Sequence, residues 1–248
     1  MENSVYIGLS RQMALQEQMD TISNNIANIS TPGYRGNNMI FLEYMSRQRN
    51  AEKAGNDSIS LVHDYGQYMN TENGPLRSTG NPLDVAVQGP GFFGVQTPEG
   101  VQFSRAGNFQ RYGAGELVTG SGQLVADEGG GTIVIPDDAI DVQIARDGTV
   151  STDQGEIARL MVVEFGDLQK LEAQGNGLYK ATDPADQGDA AENTQVMQGM
   201  LEGSNVNAVL EMTRMIDVSR AYQATQRMLQ GEHDRQRGMI QTLTRGNS

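Results

Sequence analysis

The sequence predicts an α+β protein: N- and C-terminal helices pairing as a coiled-coil-like layer, with a β-rich, antiparallel, partly closed middle domain between them. Three observations predict it. Apolar residues recur three and four apart at both ends, they recur at period two or in short runs between, and 30 Gly with 7 Pro in 248 residues call for many turns. The charge divides at the same places. Residues 1–80 hold 6 basic and 8 acidic side chains, residues 81–205 hold 6 against 19, and residues 206–248 hold 6 against 4. The middle carries a net −13 while the ends are near neutral, as expected of segments that pack against something. The organisation that follows is a helix over 1–33, a connecting arm or small β subdomain over 34–80, a β-rich domain over 81–200 and a second helix over 201–248.

At the N-terminal end, Leu15, Met19, Ile22, Ile26 and Ile29 are spaced 4, 3, 4 and 3 apart, a helical stripe near a 3.5 repeat. Thr31-Pro32-Gly33 stops it, because proline disfavours helix at the residue before it, so the predicted helix runs from about Ser4 to Ser30. Asn24, Asn25 and Asn28 are poor helix formers within that segment, and asparagines beside an isoleucine stripe suggest hydrogen bonds to a protein neighbour. At the other end, Asn205 or Asn207 is placed to cap a helix running toward Leu243. Met212, Met215, Ile216, Tyr222 and Leu229 form its apolar face, and packing is a better reading of its methionines than a promiscuous groove. These residues, Leu15 to Ile29 with Asn24, Asn25 and Asn28, and Asn205 to Leu229 with Asn207, are the candidate assembly interface.

Between the helices, Leu83–Val87, Val101–Phe103, Glu116–Val118, Thr132–Ile135, Val142–Ile144 and Ile157–Phe165 read as strands separated by Gly, Asn, Asp and Pro turns. A further strand is expected at Ile59–Val62, with a turn at Asn73-Gly74.

Composition removes several chemistries. With no cysteine there is no disulfide, zinc-thiolate or thiol-nucleophile site, and two histidines 170 residues apart, His63 and His233, argue against a histidine-based metal site. An acidic middle without clustered Lys and Arg argues against nucleic acid as a partner. No apolar run is long enough to span a bilayer as a helix. The opening Met1-Glu2-Asn3-Ser4 lacks the basic and apolar regions of a cleaved leader, so export, if it occurs, is expected without one.

The motifs that suggest chemistry lack their contexts. Gly89-Pro90-Gly91-Phe92-Phe93-Gly94 matches G-x-G-x-x-G, yet the residues after it read as strand, so it is expected to be a glycine-rich hairpin with packed rings. Asp137, Asp138 and Asp141 lack the spacing of a calcium loop and read as solvated turn residues. His233, between Glu232 and Asp234, reads as an exposed helix residue. No catalytic constellation, cofactor site or metal site is predicted.

Asn24-Asn25-Ile26-Ala27-Asn28-Ile29-Ser30-Thr31-Pro32-Gly33-Tyr34-Arg35 resembles the N-terminal signature of flagellar rod and hook axial proteins. Gly80–Phe93, Arg105–Phe109 and Gly115–Thr119 resemble the entry to that family's β domain, and Leu201–Asn207 with Glu211-Met212 and Met215–Tyr222 resemble its C-terminal signature. Ile26 stands where the family usually has Leu and Tyr112 where it usually has Asp. Length and opening residues are most similar to the family's proximal rod members, with distal rod members as the alternative. From another class, a periplasmic β-rich binding module would explain the sheet but would be expected to expose Trp, and there is none. The resemblance implies a structural subunit of the basal-body rod in the periplasm, exported by the flagellar type III apparatus. It also implies terminal helices that pair with each other and with copies of itself and other rod proteins, forming a hollow shaft.

Overall fold

The computed structural model describes residues 2–47, 58–183 and 188–245. It is α+β, with one helix at each end and antiparallel strands between, and the chain forms two compact units. The first unit comprises residues 1–27, 37–68 and 207–248, and the second comprises residues 28–36 and 69–206.

In the first unit, helix α1 spans Glu2–Ala27 and helix α2 spans Ala208–Arg245. The first stops short of the predicted Ser30. Asn28 leaves the helix to form a turn in which its carbonyl accepts from the Thr31 N–H at 3.1 Å and its side chain accepts the Thr31 hydroxyl at 3.1 Å. Asn24 and Asn25 thus lie on α1 and Asn28 lies beyond it. The α2 cap is Asn207, whose side-chain oxygen accepts from the N–H groups of Val209 and Leu210 at 3.1 and 3.2 Å. The helix then continues unbroken through Gly231 and Gly238 for 38 residues.

The helices pack antiparallel. Asn25 meets Glu211, Gln12 Nε2 donates to the Tyr222 hydroxyl at 2.8 Å, and Gly8 lies against Leu229. A Cβ on Gly8 would stand 2.7 Å from Leu229 Cδ2, so glycine lets the backbones approach closely there. On α2, Glu211, Met215, Val218, Tyr222, Thr225 and Leu229 are sheltered, a 4-3-4-3-4 recurrence. On α1, Gly8, Gln12, Leu15, Met19 and Ile22 repeat the rhythm. Strands Asn37–Arg47 and Ser58–Met69, the second containing the predicted Ile59–Val62, pair in a two-stranded sheet.

The second unit is built on a nine-stranded sheet. Its path runs Leu171–Gly175, Leu178–Ala181, Gly100–Ser104, Phe92–Thr97, Leu124–Val125, Glu116–Val118 and Gln110–Tyr112, with Val162–Glu164 and Asp189–Ala190 branching from it. The described strands form no closed barrel. A three-stranded meander, Val142–Ile144, Thr149–Thr152 and Gly155–Arg159, and the pairs Val85–Gln88 with Gln195–Gln198 and Leu76–Ser78 with Met200–Glu202 complete it, all antiparallel. Because successive strand residues face opposite sides, Phe92 and Phe93 enter two different cores. Phe92 packs edge-on against Phe165 and Tyr179, and Phe93 edge-on against Phe109.

Two predicted strands differ. Thr132–Ile135 is extended and buries Ile133 and Ile135, but it joins the sheet through isolated bridges rather than a ladder. The Ile157–Phe165 run is two strands, because Leu160 and Met161 leave the ladder. Leu160 N–H turns to Gly148 O and Met161 N–H to Ala126 O.

Candidate functional site

The first unit leaves apolar surface uncovered after its helices have paired. On α2, Val209, Met212 and Ile216 are 74%, 53% and 52% exposed, and Leu210 and Met228 are also exposed. On α1, Tyr6 and Met13 are 63% and 66% exposed, with Leu9 beside them. The spacings 6, 9, 13 and 209, 212, 216 are each i, i+3, i+7, so each set lines one face of its helix. Contiguous exposed apolar surface of this kind marks protein contact.

The predicted interface residues therefore separate. Leu15, Met19, Ile22, Met215, Tyr222 and Leu229 lie on the sheltered seam between α1 and α2, with Ile26 half-buried at its end. Met212 and Ile216 face outward. Asn24 is exposed on α1, whereas Asn25 is buried within its own chain, its amide bonding both the carbonyl and the N–H of Asn37 at 2.8 and 3.0 Å. Asn207 is the helix cap. In the second unit, Asn28 and Ile29 are half-buried, and Asn205 accepts from Gly36 N–H while donating to the carbonyls of Asn70 and Glu72.

The second unit holds a buried polar node that sequence reading missed. Arg105, with 1% exposure, donates to Glu202 Oε2 from Nε at 2.8 Å, and its Nη2 lies 2.7 Å from the same oxygen in an ion pair. It also donates to the carbonyls of Gly89, Gly91 and Val87 and to Asn73 Oδ1. Arg35, equally buried, donates to Thr71 O at 2.7 Å and to the same Asn73 Oδ1 at 2.9 Å, while its Nε is buried without a partner. Both guanidinium carbons stand 5.5 Å from the Phe92 ring centre, so the ring interacts with two cations at once. The other Glu202 oxygen accepts from Gly74 N–H at 2.9 Å, and its carbonyl accepts from Gly33 N–H at 2.8 Å. Gly33 has φ +66°, and a Cβ there would press on the Arg105–Ala106 peptide.

Burial lowers the pKa of both arginines from the usual range, and the Glu202 carboxylate works against that shift. Burial also raises Tyr179, with the two arginine charges opposing it. The node ties together the chain after α1, the 71–75 turn, the glycine-rich entry to Phe92 and the approach to α2. Its bonds are all donated to fixed partners, so its chemistry is structural. Arg35, Arg105 and Glu202 all stood in the quoted signature segments, but nothing in the sequence marks Glu202, 97 residues from Arg105, as that arginine's partner.

The remaining motifs fall into place. Gly89–Gly94 feeds the strand Phe92–Thr97 rather than a helix, and the carbonyls of Gly89 and Gly91 are Arg105 acceptors. Asp138 accepts from Gln154, Asp141 from Gln143, and Asp137 lies 3.9 Å from Arg111. His233 is exposed on α2, Tyr112 is exposed on an edge strand, and the His63 side chain lies outside the described residues. Among the described residues, no group of three or more His, Cys, Asp or Glu is placed to hold a metal ion. Nor, among the described residues, is any helix long and apolar enough to cross a membrane.

Fold and geometry thus define an α+β protein with an antiparallel pair of terminal helices, a two-core β unit and structural buried polar groups. Three family models match it: flagella basal body rod protein over residues 5–35, flagellar hook protein FlgE/F/G D1 domain over 86–152, and flagellar basal body rod FlgEFG protein C-terminal over 197–242. The chain is 36% identical to the flagellar basal-body rod protein FlgF of Caulobacter vibrioides, with all of both chains covered. It is 33% identical to FlgF of Mesorhizobium japonicum over 98% of each chain, and 32% identical to FlgG of Bacillus subtilis over 92% of this chain and 94% of that one. The chain belongs to the flagellar basal-body rod protein family.

Proposed function

We propose that this chain is a structural subunit of the proximal rod of the bacterial flagellum, self-associating through its terminal helices into a hollow helical drive shaft. The observation that carries the reading is the outward apolar face left on each helix after α1 and α2 have paired. A helix apolar on two sides serves two contacts: one seam holds its own partner helix, in coiled-coil fashion, and the other meets a neighbouring copy or another rod protein. Heterologous contacts that do not close generate a helical assembly, which is the form a shaft requires. The acidic middle, 81–200, forms the outer domain, and 34–80 forms the connecting arm. Subunits reach the growing rod through the flagellar type III export apparatus, and later subunits pass along the lumen. The proximal assignment is supported by FlgF relatives aligned along 98–100% of both chains.

The test is rod incorporation. Met212→Asp and Ile216→Asp, both on the outward face, are expected to leave α-helical content and the β unit intact while abolishing incorporation into basal bodies and motility. Normal incorporation of both variants would remove this face from the interface.

A further inference from the structure

Two polar rungs cross the antiparallel helix pair. At one end, Asn25 Nδ2 reaches Glu211 Oε2 at 3.5 Å, and Glu211 Oε1 accepts from Arg214 Nη1 at 2.6 Å. Arg214 Nη1 also donates to Asn38 Oδ1 at 3.3 Å, and the Asn25 amide is clamped on the Asn37 peptide, so the strand start backs the rung. Asn25 and Glu211 are 3% and 5% exposed, a carboxylate and an amide placed inside a helix seam. The second rung is Gln12 to Tyr222.

A seam of this rhythm has a register problem. Glu211, Val218 and Thr225 are buried on α2 seven residues apart, so sliding one helix along the other by one heptad, about 10 Å, replaces each buried position by another. Apolar contacts alone distinguish such registers poorly. The polar pair does distinguish them, because a slip sets Val218 against Asn25 and leaves the Glu211 carboxylate without its amide. One buried polar position that selects register is a known device of helical seams.

We propose that Asn25 and Glu211, braced by Arg214, are the register pin that sets which heptad of α2 lies against α1. The pin works within one chain, so it stands whichever rod position the subunit takes.

The chain contains 0 cysteines, so introduced pairs report register without background. Gly8→Cys with Leu229→Cys joins positions in contact, whereas Gly8→Cys with Tyr222→Cys or Gln236→Cys joins positions one heptad off. Intrachain disulfide formation in the full-length protein is followed by peptide mass spectrometry. In the parent background the 8/229 pair is expected to form about tenfold faster or more than either offset pair, the ratio set by losing one charge-assisted buried hydrogen bond. Asn25→Leu with Glu211→Leu keeps the seam packed and apolar, and it is expected to erase that difference. Glu211→Gln, which keeps an acceptor for Asn25, is expected to preserve it. No preference in the parent, or a preference that survives the double leucine variant, would overturn the proposal.

Discussion

Arg105 makes five hydrogen bonds with its guanidinium, two strands and two turns converging on one side chain. A buried ion pair is weak evidence for stability as such, but removing one partner leaves an uncompensated charge in a low-dielectric site. Glu202→Ala strands two guanidiniums, so the β unit is expected to lose about 3–5 kcal/mol in urea unfolding followed by circular dichroism. A loss below about 1 kcal/mol would make the pair equivalent to a surface ion pair. Tyr179 supplies a pH test. Burial holds its folded pKa above the usual value of 10.0, so the unfolded chain ionises first as pH rises. The stability it contributes is complete below that value and is lost as pH climbs through the folded pKa. Urea midpoints measured upward from pH 8 should therefore fall above about pH 10, and Tyr179→Phe should flatten the fall. The node shows why single residues were the least legible scale. Arg35 and Arg105 were visible as signature residues, but their partners are set by strand pairing across the whole unit.

At the scale of elements, the helices were the most legible because a 3-4 apolar rhythm depends on local sequence alone. Their ends were less so. The α1 terminus moved from Ser30 to Ala27 because Asn28 found a local partner in the Thr31 hydroxyl, a competition that periodicity does not register. The seam on α2 was legible at Met215, Tyr222 and Leu229 but missed Glu211 and Thr225, since an apolar count discounts the polar residues that occupy seam positions. Asn25 was expected to face a neighbour, and it serves its own chain instead, because the returning strand offers the Asn37 peptide at the right distance. Val142–Ile144, which alternates, and Glu116–Val118, a short run bounded by turns, fall as expected. Gln195–Gln198 and Met200–Glu202 carry little alternation and owe their structure to distant partners at Val85–Gln88 and Leu76–Ser78. Ile22 is 4% exposed on the seam. Ile22→Asp buries a charge without a partner and should separate α1 from α2. Circular dichroism should show lost helix while limited proteolysis still leaves the β core. Retained helix would mean that Ile22 is not a seam residue.

For the whole molecule, the chain separates two tasks that the sequence already divides by charge. The acidic β unit gathers its buried apolar residues mainly in two cores. The near-neutral ends keep theirs on helices, partly buried against each other and partly open. A 38-residue helix with apolar residues on two faces keeps one of those faces open, and the chain belongs to the rod family. On the proposed function, burial of these outward faces between subunits holds the rod together. That burial is tested most directly by amide hydrogen exchange on the purified chain and on isolated basal bodies, compared over residues 6–13 and 209–216. Exchange is expected to be fast in the free chain and strongly slowed in the rod at both segments, because contacts on the second face suppress helix opening. Equal exchange in the two states would show that the outward faces stay uncovered, and the rod would then have to be held together elsewhere.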